Sequence, residues 1–162
     1  MSTVCKPVDI YLLPGDLHFG DKNTRIHTVL GSCVSIAVWH PRLHIGGMGH
    51  SMLPSRGKPG KQNLDGHYVD EAIELLLHEI SKRHTHPDEY QVKLFGGGNM
   101  FRRHPTKKAF NVAESNIEAA RVLLEAGGFA IHTEHVGGSG HRNIIFDLCD
   151  GSVLVKHEKI PI

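Results

Sequence analysis

Cys33 and His50 are the two residues of this 162-residue chain whose types and settings best suit nucleophilic hydrolysis. Such chemistry needs a thiolate, a base that shuttles its proton, a group that orients the base, and backbone donors where an oxyanion develops. Cys33 follows Leu30-Gly31-Ser32 at the entry to the β-type run CVSIAVW, where glycine permits close approach of backbone and substrate. His50 lies in GGMGHSML, and an imidazole titrating near neutrality can take a thiol proton and return it to a leaving group. Each residue also has a plainer reading. A cysteine in an apolar run commonly serves as a small core side chain, and His50 is one histidine among 14.

The other reactive side chains make weaker cases. Cys5, Cys33 and Cys149 are an odd count without CxxC spacing, which suggests neither a disulfide framework nor a cysteine zinc site. Cys5 and Cys149 are read as structural or incidental. His84 and His86 sit in the polar KRHTHPDEY with no second organised pair beside them, so no metal is expected. FGGGNMF and HVGGSGHR lack the spacing of a phosphate-binding loop. They read as tight turns or as the wall of a groove.

Composition narrows the class. Lys plus Arg total 18 against 17 for Asp plus Glu, a balance too even to argue for nucleic acid or an anionic membrane surface. MSTVCKPVDIYLL has no basic segment followed by an apolar run, and no stretch reaches the roughly 18 apolar residues of a membrane span. The expectation is a cytoplasmic protein, not inserted in a membrane, with residues 1–162 forming a single domain.

The elements that must position Cys33 and His50 follow from periodicity. VDIYLL (8–13) and RIHTVL (25–30) read as strands separated by turn residues. CVSIAVW and HIGGMGHSML form a hairpin turning near Pro41-Arg42. Cys33 begins its first arm and His50 stands near the end of its second, so antiparallel pairing gives them a real chance of meeting. After the polar loop PSRGKPGKQNLDGH, YVDEAIELLLHEISKR places Val69, Ile73, Leu76, Leu77 and Ile80 on one helical face. YQVKLF is a strand running into the glycine turn. A second helix shows Ile117, Ala120, Leu123 and Leu124 on its apolar face, with Asn111–Glu114 or Ser115–Glu118 as capping box and Gly127-Gly128 as stop. FAIHTEH, NIIFDL and VLVKHE close the chain as strands. The order predicts an α/β (α+β) layered domain with mixed sheets and two main helices.

Five segments, TVLGSCVSIAVW, GGMGHSMLP, KLFGGGNMF, NVAESNIEAARVLLEAGG and EHVGGSGHR followed by VLVK, resemble the chemoreceptor glutamine deamidases called CheD, over about Val8 to Lys156. The resemblance implies hydrolysis of glutamine side chains of methyl-accepting chemotaxis receptors to glutamate with release of ammonia and no cofactor. It implies Cys33 as nucleophile, His50 as general base, a threonine upstream of the cysteine as third member, and a sandwich resembling a reduced papain-like cysteine hydrolase. It also implies a second partner, the chemotaxis phosphatase CheC. Family members usually carry an aspartate where this chain has His135.

Thr28 supplies the residue type expected of the third member, but His27 adjoins it, and adjacent strand residues point to opposite faces. Only one of the two can face His50, and Thr28 is taken to fill the role, with His27 as the alternative. A thiol-alkylating reagent is expected to modify Cys33 first, provided that it lies in a groove with a depressed pKa. Two other functions stay open on the residues alone: a binding module that keeps the fold without chemistry, and a cysteine hydrolase for a small amide or a peptide bond.

Overall fold

Period-two burial in the strands and period-3.6 burial in the helices build three layers. The computed structural model describes residues 5–57, 63–100 and 107–160, with the side chains of 107–111 left aside. Part of the polar loop and Phe101 of the glycine segment therefore lie outside the described residues. The order is β1 (Val8–Tyr11), β2 (Leu17–Gly20), β3 (Thr24–Leu30), β4 (Val34–His40), β5 (Ile45–Gly49), α1 (Val69–Lys82), β6 (Gln91–Gly96), α2 (Lys107–Ala126), β7 (Ile131–Val136), β8 (His141–Asp147) and β9 (Val153–Glu158).

The strands form a four-stranded sheet, β1-β3-β8-β9, and a five-stranded sheet, β2-β5-β4-β6-β7. Both are mixed: β1–β3 and β6–β7 run parallel and the other pairs antiparallel. β4 is buried at every residue because it has a layer on each face. Val34, Ile36 and Val38 pack against Val69, Ile73, Leu76 and Ile80 of α1 and against Ile117, Ala120 and Leu124 of α2. Ala37 and Trp39 point the other way, into a second core with Ile26, Leu30, Met48, Phe95, Ile144 and Phe146 between the sheets. Removing a side chain such as Ile26, wholly buried there, costs about 2–5 kcal/mol as alanine.

The α+β sandwich with two main helices matches the element order read from sequence, with three corrections. β2 arises within the stretch read as turn, because Leu17–Gly20 pairs with Gly49–Gly46 and gains its order from β5 rather than from its own pattern. α2 already runs from Lys107, so Asn111 and Ser115 lie within the helix rather than at its N-cap position. Cys5 and Cys149 are joined in a disulfide, 144 residues apart in sequence, where the odd count and spacing suggest no disulfide framework. Asn23 and Thr24 bring them together: Val8 N–H donates to the Asn23 carbonyl and Leu148 N–H to that of Thr24. Cysteine spacing carries no trace of that juxtaposition.

Candidate active site

The hairpin of β4 and β5 closes through a turn in which His44 takes a φ of 55°. Its open end holds Cys33 and His50. Val34 and Ser51 form the last antiparallel bridge, exchanging two hydrogen bonds of 3.0 and 2.9 Å. The same register sets Ser35 opposite His50 and Cys33 opposite Met52. Cys33 and His50 are thus diagonal neighbours, a relation that spans about 7–8 Å between Cα atoms and less between side chains. Both belong to the face between the sheets: Cys33 packs on the inter-sheet core, and His50 follows Met48 of that core by two residues.

The third side chain comes from the opposite sheet. Thr28, in register with Ile26 and Leu30 on the inner face of β3, brings its Oγ1 to 2.8 Å from His50 Nδ1. That hydroxyl donates its single hydrogen to the Leu12 carbonyl at 3.1 Å. It therefore accepts from His50 Nδ1–H, which leaves Nε2 as the unprotonated, basic nitrogen. His27 turns to the outer face, where it stacks on Tyr11 and its Nε2 lies 2.7 Å from Asp9 Oδ1. Arg25, then His27, hold the Asp9 carboxyl down at about 2. Of the adjacent pair, it is Thr28 that meets His50.

Backbone contacts fix the two segments. His50 is gripped on both sides of its peptide, Gly15 N–H donating to its carbonyl at 2.8 Å and its own N–H to the Asp16 carbonyl at 3.0 Å. The triple glycine docks on the turn that bears Cys33: Gly97 N–H donates to the Cys33 carbonyl and Gly98 N–H to that of Gly31, both at 2.9 Å. A Cβ on Gly96 would collide with the Cys33 carbonyl oxygen. These glycines brace the backbone of Cys33. Arg142, buried to 2 % exposure, completes the brace by donating to the Gly96 and Gly137 carbonyls and, from Nε, to His135 Nδ1 at 2.8 Å.

Burial sets the resting protonation. It pushes the Cys33 thiol above its ordinary value and, with a smaller opposing effect of Asp16, pulls His50 below its own. The depressed thiol pKa on which first alkylation of Cys33 depends is not found: desolvation disfavours the thiolate and the imidazolium alike. A cavity of about 420 Å³ lined by Leu13, Thr28, Val29, His50 and Ile145 adjoins the imidazole. Among the described residues no three His, Cys, Asp or Glu side chains converge as metal ligands would.

Two groups at this site escaped the sequence reading. The Leu12 carbonyl, which sets the His50 tautomer through Thr28, is a backbone atom and leaves no residue signal. Asn116 does leave one: it is a polar side chain on the apolar stripe of Ala113, Ile117, Ala120 and Leu124. Its Nδ2 donates to the carbonyls of Ser32 at 3.1 Å and Met52 at 2.9 Å.

Comparison with known proteins joins this geometry to a family. The profile of the family described as CheD chemotactic sensory transduction matches residues 52–157. A probable chemoreceptor glutamine deamidase CheD 3 of Dechloromonas aromatica is 50% identical over 145 residues, 90% of this chain and 85% of that protein. A probable chemoreceptor glutamine deamidase CheD of Pseudomonas syringae pv. tomato is 47% identical over 156 residues, 96% of this chain and 92% of its own. One from Leptospira interrogans, CheD 1, is 36% identical over 92% of each chain. The family match and these relatives establish that the chain belongs to the CheD family.

Proposed function

We propose that this chain, acting as one domain over residues 1–162, hydrolyses glutamine side chains of chemoreceptors to glutamate through Cys33, His50 and Thr28. The observation that carries the reading is the Thr28–His50 hydrogen bond, which fixes Nδ1–H and frees Nε2 on the face that also holds Cys33. The names of the relatives supply the substrate class.

The reaction follows from these atoms. A glutamine carboxamide enters at the open end of the hairpin, and its carbonyl carbon is attacked by Cys33 Sγ as the thiol proton passes to His50 Nε2. The resulting oxyanion is held by backbone N–H groups at Ser32-Cys33. The imidazolium, stabilised while Thr28 accepts from its Nδ1–H, returns the proton to the departing nitrogen, and ammonia leaves a thioester. Water then attacks the thioester, its proton goes to Nε2 and on to the sulfur, and glutamate and the free thiol are restored. Conversion of a neutral carboxamide to a carboxylate on a receptor helix alters its charge pairing and biases a switch. The family resemblance alone adds CheC as a second, regulated partner.

The test is a purified receptor cytoplasmic fragment incubated with the protein and analysed by mass spectrometry. Exchange of NH2 for OH at glutamine, with stoichiometric ammonia, is the expected result. Cleaved fragments would instead mean proteolysis, and an unaltered fragment would mean a binding module.

A further inference from the structure

We infer that Asn116 is a positioning residue for this reaction, holding the peptide unit that carries the Cys33 N–H in register with the segment that carries His50. The inference rests on the cysteine-hydrolase reading above. Asn116 is fully buried on α2, and one nitrogen bridges two chain segments: Nδ2 donates to the Ser32 carbonyl and to the Met52 carbonyl. Ser32 immediately precedes Cys33, and Met52 follows His50 by two residues. The carboxamide thus lies across the open end of the β4–β5 hairpin, just beyond the Val34–Ser51 bridge where its own ladder stops.

The bond to the Ser32 carbonyl has a second consequence. That carbonyl and the Cys33 N–H belong to one planar peptide unit, so a donor on the oxygen fixes the direction of the N–H and polarises it. The Cys33 N–H is a donor assigned to the oxyanion. Asn116 therefore sets the aim of both the sulfur-bearing residue and its oxyanion donor without touching substrate.

Packing alone is a poor account of an asparagine here. Its Oδ1 is buried and accepts no hydrogen bond among the described residues, and an unmade bond of this kind destabilises a fold. A leucine would suit the surrounding apolar stripe better. What leucine cannot do is donate to Ser32 and Met52.

The experiment compares Asn116→Leu, which removes both donors, with Asn116→Asp, which keeps the shape but has no N–H and at most one O–H for the two carbonyls, in parent and His50→Ala backgrounds. Deamidation of a receptor fragment and Cys33 alkylation by iodoacetamide are both followed. The expected result is a kcat lower by about 10- to 100-fold in variants that remain folded by circular dichroism, the scale of a displaced catalytic group. KM should stay within about twofold, and the added loss should be smaller in the His50→Ala background, where the proton transfer between Cys33 and His50 is already gone and only the aim of the oxyanion donor remains to be disturbed. A raised KM with unchanged kcat, or an equal added loss in both backgrounds, overturns the inference. If the parent deamidates nothing, the functional reading fails and the inference is read from alkylation. It stands if Asn116→Leu removes the difference in Cys33 reactivity between parent and His50→Ala, and falls if that difference persists or never existed. Should Asn116→Leu not fold, Asn116→Asp carries the same comparisons.

Discussion

Thr28 of β3 and His50, the residue after β5 of the other sheet, meet at 2.8 Å, and the threonine hydroxyl can only accept because its hydrogen is committed to the Leu12 carbonyl. In the proposed mechanism an uncharged residue thereby takes the part a carboxylate has in other hydrolases, selecting the tautomer and orientation of the base. The bond also ties the two sheets together at the candidate site, so the layers and the chemistry share one contact.

Removal of that contact should be costly and chemically specific. Thr28→Val, close in shape, is expected to lower turnover by about 10- to 1,000-fold, the range for a group that supports proton transfer, whereas Thr28→Ser retains most activity. His27→Ala, on the outer face with Asp9 and Tyr11, should keep at least half the rate, with deamidation of a receptor fragment as the measurement. A larger loss at His27 than at Thr28 would reverse the assignment.

Cys33→Ala should abolish deamidation, by up to about 10⁶-fold where nucleophile and base act as a unit, while leaving the fold intact because the sulfur is only partly buried. Ammonia release at more than a few per cent of the parent rate would place the nucleophile elsewhere.

The acid side of the pH profile has a direction. Burial holds His50 below its ordinary 6.5, and the mechanism needs it neutral, so the acid limb of kcat/KM should fall below pH 6.5 rather than at it. Stability follows the same sign. The folded state binds its proton less readily than the unfolded chain, so stability is intact above the unfolded value of 6.5 and is lost as pH falls through the lowered one. Because the thiol is raised, alkylation of Cys33 in His50→Ala should accelerate only above the ordinary thiol range. A fast neutral-pH alkylation of that variant would show a thiolate stabilised by some other group.

The Cys5–Cys149 link closes a loop of 144 residues. Loop entropy sets a ceiling of about 5 kcal/mol for such a bridge and the typical stabilisation is about 2–4 kcal/mol, or roughly 5–15 °C of Tm in a domain of this size. Cys149→Ala should therefore melt lower than the parent under oxidising conditions and equally under reducing ones, with deamidation unchanged in both. Loss of activity on reduction would tie the bridge to the site.

What was legible in the sequence was local. The alternation in RIHTVL, the helical stripe Val69-Ile73-Leu76-Ile80 and the Cys33–His50 hairpin each follow from neighbouring residues and the periods of strand and helix. Even the opposition of His27 and Thr28 was foreseeable from the pleat; what was not was which of them faced inward. That choice depends on which face of β3 the second sheet covers, and β3 takes its place from its pairing with β8, more than a hundred positions away. The same distance hid the Cys5–Cys149 bridge. The raised thiol pKa was hidden for another reason: desolvation depends on the layer that covers Cys33, and the sequence motif describes only the residues beside it.

Gly96 offers the sharpest test of how the site's backbone is held. It takes a φ of 107°, and a Cβ there would strike the Cys33 carbonyl oxygen and approach Val34 Cα at 3.1 Å. Gly128 is a natural control, since its φ of 92° is equally unsuited to alanine, yet a Cβ there meets only Pro87 at ordinary contact distance. Both alanine variants should lose about 1–3 kcal/mol to backbone strain, visible as lower Tm. Only Gly96→Ala should also push the Cys33 peptide off its bond to Gly97, and a displacement near 1 Å costs on the order of 10²-fold in rate. Turnover measured well below both melting transitions separates the two effects. If Gly128→Ala loses as much activity as Gly96→Ala, strain rather than the brace on Cys33 governs the rate, and the triple glycine has no special part in holding the nucleophile.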